Sequence, residues 1–205
     1  MLPLFVCGVG MDVSLTTEPQ ERLVTLAEAK AQLRVPTAFT DDDTYIENLI
    51  LAAETHLDGR AGMMGRALVT QTWTGTIDFA FPSQIEVPLP PLQSVSSIKY
   101  LDGNGDQQTL ASDQYQVINN VEPCLIVPAF GATWPSVRSQ RHAVEVVFVA
   151  GYGAASDVPM RIRQMVLFLV SHWYINRVPV NIGNIVNSIP DTFDALFNAS
   201  RSWGF

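Results

Sequence analysis

Several short stretches carry residue types that can do chemistry. Residues 151–156, GYGAAS, lie between an apolar run and a long apolar helix, the setting in which a glycine-rich turn cradles a dinucleotide pyrophosphate. The match is poor, because Ser156 stands in place of the third glycine and no later strand supplies the ribose-binding acid. A tight turn that needs the backbone freedom of glycine is the favoured reading. Residues 102–106, DGNGD, imitate the start of a calcium loop, but Gln107 stands where that loop needs glycine and Asp113 where it needs glutamate. They read as a hairpin turn. Asp41, Asp42 and Asp43 resemble a set of metal ligands, yet carboxylates in a first helical turn are already stabilised by the helix dipole. Arg138, Arg141 and His142 form one small basic cluster, suited to a phosphate or an acidic neighbour, with a solvated loop as the plainer reading. The histidines at 56, 142 and 172 belong to no HExxH pattern, and no GxSxG occurs. Cys7 and Cys124 are too few and too far apart for a disulfide framework or a metal site. No catalytic residue, cofactor or metal is therefore expected, and the chain does not read as an enzyme.

The elements that position these stretches are organised around residues 143–177. Val144, Val146 and Phe148 alternate with Glu145, Val147 and Val149, as in a strand buried on both faces or nearly so. Gly151 and Gly153 break the pattern. Asp157 and Pro159 then predict a helix from about residue 158. Ile162, Met165, Val166, Leu169, Val170 and Trp173 follow at helical spacing, while Leu167, Phe168 and Tyr174 fill the other sides. A helix apolar all round needs partners on several sides. Two readings stand open: the central helix of one core, or a helix shared with neighbouring subunits. It is too interrupted to span a bilayer.

Upstream, Thr25 and Glu28 have capping-box spacing for a first helix that ends by Val35-Pro36. Thr40 and Asp43 give a similar signal for a second, in which Ile46, Leu49, Ile50, Ala53 and Leu57 form one stripe that Gly59 and Gly62 stop. After Gly65 the period changes to two. Val69, Trp73, Ile77 and Phe79 alternate with polar residues as in a half-buried strand. Further strands are expected at 84–87, 95–101, 107–118 and 124–127. Beyond the long helix, a last helix is expected over 190–201, with Phe193, Leu196 and Phe197 on one side and Trp203 and Phe205 just after. Such an aromatic end either folds onto its own core or docks into a partner's groove.

Hydrophobic content of 47% and charge of 16% rule out a disordered chain, and 205 residues allow one domain with a large insertion. The net charge of −8 argues against broad duplex binding, which needs clustered Lys and Arg. The acids concentrate in residues 1–62, and an acidic surface suits DNA that must slide past without sticking. Residues 1–19 read as a tail with no signal peptide, and Met11 as an alternative start. The expected fold is α+β. A helical scaffold of residues 20–62 and 151–205 holds an inserted, mainly antiparallel β unit, residues 63–150, in one composite domain.

In order along the chain, VTLAEAKAQLRV (24–35), DDDTYIENLILAA (41–53), GRALVTQTW (65–73), LPPLQSVSSIKYLD (89–102), WPSVRSQRHAVEVVFVAGYG (134–153) and HWYINR (172–177) resemble one family. It is the head-tail connector, or head completion adaptor, proteins of tailed bacteriophages and gene transfer agents, and the resemblance covers about residues 20–200. The resemblance implies a non-enzymatic virion part made in the host cytoplasm. Such proteins form a ring, usually of about twelve copies, below the portal protein. The ring extends the DNA channel without sequence-specific binding and offers a platform for the next tail-side component; no membrane is involved. By the same resemblance Phe193, Leu196, Phe197, Trp203 and Phe205 are the candidates for portal docking. Met165, Leu167, Phe168, Trp173 and Tyr174 on the over-apolar helix are the candidates for the subunit interface. The rivals are a tail completion or terminator ring and, more remotely, a small nucleotide-binding enzyme using Gly151 and Gly153.

Overall fold

The computed structural model describes residues 11–177 and 191–201. The described chain is α+β, with four α-helices and two antiparallel sheets, and divides into two compact units. Of the described residues, one comprises 11–18 and 71–151; the other comprises 19–70, 152–177 and 191–201. The chain thus leaves the second unit after Thr70 and re-enters it at Tyr152.

The β unit is built from β1 (Asp12–Thr17), β2 (Gln71–Ile77), β3 (Ile85–Val87), β4 (Leu92–Leu101), β5 (Gln107–Thr109), β6 (Tyr115–Ile118), β7 (Cys124–Pro128) and β8 (Val144–Ala150). The larger sheet has the order β1-β2-β8-β4-β5 and the smaller β3-β7-β6. β8 is central because both of its edges are paired, Val146 facing Gly75 on one side and Ile98 on the other. Its Val144, Val146, Phe148 and Ala150 are fully buried, while the alternate residues are partly covered. This is why the stretch reads as nearly continuous in apolar residues.

Several sequence expectations need correction. Residues 12–17, read as tail, form β1, and the Met11 side chain lies over Gly75, where an added Cβ would meet its sulfur at 2.1 Å. The expected strand over 107–118 splits between the two sheets, with a short turn at residues 112–114. β2 stops at Ile77. Asp78 turns its carboxylate to the His142 N–H at 2.8 Å, and Phe79, expected on the core face, takes a left-handed backbone and is half exposed.

The helical unit contains α1 (Leu26–Leu33), α2 (Asp43–Leu57), α3 (Met160–Ile175) and α4 (Asp191–Asn198). α1 carries the full capping box: the Glu28 N–H donates to Thr25 Oγ1 at 3.2 Å, and the Thr25 N–H to Glu28 Oε2 at 2.8 Å. Thr40 does not cap α2; only its main-chain carbonyl is used, by the Asp43 N–H, and Asp42 occupies the cap position. Asp157 does not cap α3 either. Its carboxylate accepts the Ala154 N–H and closes a short turn at residues 155–157, so α3 starts later, after Pro159.

One core joins the four helices. Leu23, Val24 and Ala29, Ile46, Ile50, Ala53 and Leu57 of α2, Ile162, Met165, Val166, Leu169 and Val170 of α3, and Phe193 and Phe197 of α4 belong to it. Met165→Ala is expected to destabilise this unit by about 3 kcal/mol, because the residue is wholly buried and its removal leaves a cavity. Thr25→Ala should cost about 1 kcal/mol through the lost cap. Urea unfolding of the two variants beside the parent measures both.

Candidate functional site

The glycine turn after β8 is occupied from within. Gly151 and Gly153 have φ of 120° and 129°, which side chains rarely adopt. A Cβ at Gly153 would lie 2.5 Å from an Asp157 carboxylate oxygen. That carboxylate sits against the turn where a nucleotide would bring phosphate, and like charges repel. The turn instead serves the helical unit: the Tyr152 N–H donates to the Leu68 carbonyl at 2.8 Å, and the Gly153 carbonyl accepts the Thr70 N–H at 3.0 Å.

The other candidate stretches are likewise used by the fold. Asp102 Oδ1 accepts the N–H groups of Asn104, Gly105 and Asp106 at 2.9–3.1 Å, and Oδ2 accepts from Gln108. Gln108 and these N–H groups hold the Asp102 carboxyl below the ordinary range, as a closed hairpin turn does. Arg138, Arg141 and His142 are exposed, and Arg138 lies over that turn, its Nη1 2.4 Å from where a Gly105 Cβ would be. Among the described residues no group of three or more His, Cys, Asp or Glu is placed to hold a metal. No helix among them is long and apolar enough to cross a membrane.

The aspartate triplet divides its work. Asp41 is exposed, and Asp43 pairs with the buried Lys30. Asp42 accepts the Tyr174 hydroxyl and, at 3.1 Å, Arg177 Nη2. The tyrosine hydroxyl first, then the guanidinium, pull the Asp42 carboxyl below its usual range, and the same contact pushes the Tyr174 hydroxyl up. The Arg177 guanidinium lies 4.6 Å from the Tyr45 ring centroid and 4.9 Å from that of Tyr174. At the other end of α2, His56 meets Trp173 edge to face at 6.0 Å. Two of the sequence motifs, DDDTY and HWYINR, are therefore the two halves of one clasp that fixes the end of α3 to α2.

The expected interface residues fall in different places. Met165 is wholly buried in its own unit. Leu167, Phe168, Trp173 and Tyr174 are partly covered and lean on the core, and Tyr174 is held by Asp42. Met160 and Ile175, at the two ends of α3, are 66% and 75% exposed and were not singled out in the sequence. Of the expected docking residues, Phe193 and Phe197 stack with parallel rings in the core, and Leu196 is partly covered. Trp203 and Phe205 lie outside the described residues. The end of α4 is tied to the rest of the unit by Arg66, whose Nε donates to the Ser200 carbonyl at 2.7 Å, while Arg201 lies over the Phe197 ring of the same segment.

Glu54 carries no sequence signal of its role, since it flanks the α2 stripe like any surface acid. Its Oε1 accepts the Leu23 N–H at 2.6 Å and the Val24 N–H at 3.4 Å, and Oε2 meets Arg22 at 3.3 Å. It staples the segment entering α1 onto α2.

No family model matches the chain, and no curated protein matches it. Solved structures do. The fold is similar to that of a chain in the neck of an empty GTA particle computed with C6 symmetry, with a TM-score of 0.74, 22% identity, and 94% of this chain and 96% of that one covered. A chain in the virion of a native gene transfer agent particle gives 0.73 at 22% identity over the same shares. A chain in the neck of a native GTA particle computed with C12 symmetry gives 0.59 at 19% identity, over 92% and 96%. At these identities the likeness is one of fold, and it runs through both units.

Burial pushes the Glu54 carboxyl above its ordinary value despite the hydrogen bonds that favour its charge. The folded chain therefore binds this proton more tightly than the unfolded chain does. The resulting stability is fully present below the unfolded value and is lost as pH rises through the raised folded value. Measured by urea midpoints, the parent's stability relative to Glu54→Gln is expected to fall as pH rises above the ordinary value of 4.5. A rise would mean that the Leu23 and Val24 N–H groups outweigh burial.

Proposed function

We propose that the chain is a structural, non-enzymatic head-tail connector of a tailed-phage-like particle. Identical copies form a ring in the neck of the virion, below the portal, that continues the DNA channel and presents a platform to the next tail-side component. The observation that carries the reading is the likeness, over 94% of this chain and 96% of the other, to a chain of a GTA particle neck. The particles compared there were computed with C6 and C12 symmetry, which suits a ring of six or twelve copies. The chain's net charge of −8 suits a channel that lets DNA pass without gripping it. The sequence resemblance, carried in part by the DDDTY and HWYINR stretches, favours a connector over a tail terminator.

In this reading the partly covered residues Leu167, Phe168, Trp173 and Tyr174 lie at or near the contact between subunits, and Met165 supports them from behind. Portal docking belongs to Leu196 on α4 and to the chain end beyond it, with Trp203 and Phe205 as the anchors. Phe193 and Phe197 hold α4 in place rather than meeting the portal first.

Native mass spectrometry with negative-stain imaging, on the chain alone and on purified portal, tests the ring. Closed rings of six or twelve copies are expected in at least one setting, and a monomer in both sinks the proposal. Deleting residues 202–205 should weaken portal binding by tenfold or more, on the order of one buried aromatic anchor, while leaving the urea midpoint unchanged. Portal binding at full strength after the deletion would remove the docking role of Trp203 and Phe205.

A further inference from the structure

Two faces of the helical unit remain uncovered, and they differ in character. On α2, Glu47, Asn48, Leu51, Ala52 and Thr55 recur at spacings of three and four and are all exposed, Leu51 by 43%. Glu47 is the one acidic side chain of that set and makes no ion pair among the described residues. On α3, the exposed Met160 and Arg161 start a ridge that continues through the partly covered Gln164 and Phe168 to the exposed Ile175. Residues 158–177 contain no acid. Arg163 is taken by Glu28 and Arg177 by Asp42, which leaves Arg161 without an ion pair among the described residues.

We infer that these faces meet between copies of this chain, the Glu47–Leu51 face of α2 on one copy against the Met160–Arg161 end of the α3 ridge on the next. The inference rests on the ring proposed above and names its contact. A closed ring needs a heterologous contact, two different patches on each subunit, and charges of opposite sign supply that difference. The same charges disfavour the alternative of a two-fold dimer, since each face placed against itself sets Glu47 near Glu47 or Arg161 near Arg161. Each charge stands beside an exposed apolar side chain, Leu51 one turn after Glu47 and Met160 next to Arg161, so contact buries apolar surface together with the ion pair.

The test is charge exchange, read as the concentration for half-assembly alone and on purified portal. Glu47→Arg and Arg161→Glu each place like charges at every junction and should raise that concentration about tenfold or more. An equimolar mixture of the two variants should assemble like the parent, because alternating copies restore an opposite pair at each junction of an even ring. The double variant should do the same. Both positions are exposed, so urea midpoints should match the parent's. Parent-like assembly of the single variants, or single defects that neither mixing nor the double variant rescues, overturns this contact while parent rings leave the connector reading standing. A parent chain that is monomeric both alone and on portal overturns both.

Discussion

The need to bury α3 on several sides at once governs the helical unit. Ile162, Met165, Val166, Leu169 and Val170 require cover that no single neighbour provides, so α2 supplies one flank and α1 and α4 add the rest. Burial of such side chains is worth about 2 kcal/mol each, which outweighs what any one surface ion pair contributes. The polar contacts then set the register. Arg163 reaches Glu28 on α1, while Tyr174 and Arg177 close on Asp42 at the start of α2. Hydrophobic burial makes the bundle, and these directional contacts select one arrangement of it.

The β unit obeys a different constraint. β8 has both edges occupied. Its main chain pairs with β2, which presents alternate residues to the buried face, and with β4, which shifts register between Leu92 and Ser94 and between Val95 and Ser97 and buries Leu92 and Ile98. The ion pair of Lys99 with Glu145, facing each other across β4 and β8 at 3.6 Å, adds little by comparison.

Much of this was legible in the sequence where one local pattern decides the outcome. The capping box at Thr25 and Glu28, the α2 stripe and the alternation in β8 all formed as expected, because each depends on residues close in sequence. What stayed hidden depends on distant partners. β1 is short and mostly exposed, so the alternation of Val13 and Leu15 with polar residues marks no buried face, and its pairing with β2 makes it a strand. Thr40 and Asp157 are good caps by type, but each is drawn into a neighbouring turn instead. The aspartate triplet gave a local signal, the helix dipole, that was incomplete: two of its three carboxylates answer to Lys30, Tyr174 and Arg177, up to 135 residues away. Phe197 shows the same limit at the candidate site. Its spacing marked an aromatic face, but that face turns inward.

The chain's passage out of the helical unit after Thr70 and back at Tyr152 bears on how the molecule is made. A ribosome releases α1 and α2 without the cover that α3 and α4 give them, and β2 to β8 must be synthesised before α3 emerges. At about 5–20 residues per second this leaves Ile46, Ile50 and Leu57 without their cover for on the order of ten seconds. Folding is thereby given a direction in time: the β unit, whose β1 is already made when β2 emerges, can close on itself while the helices wait for their last partner.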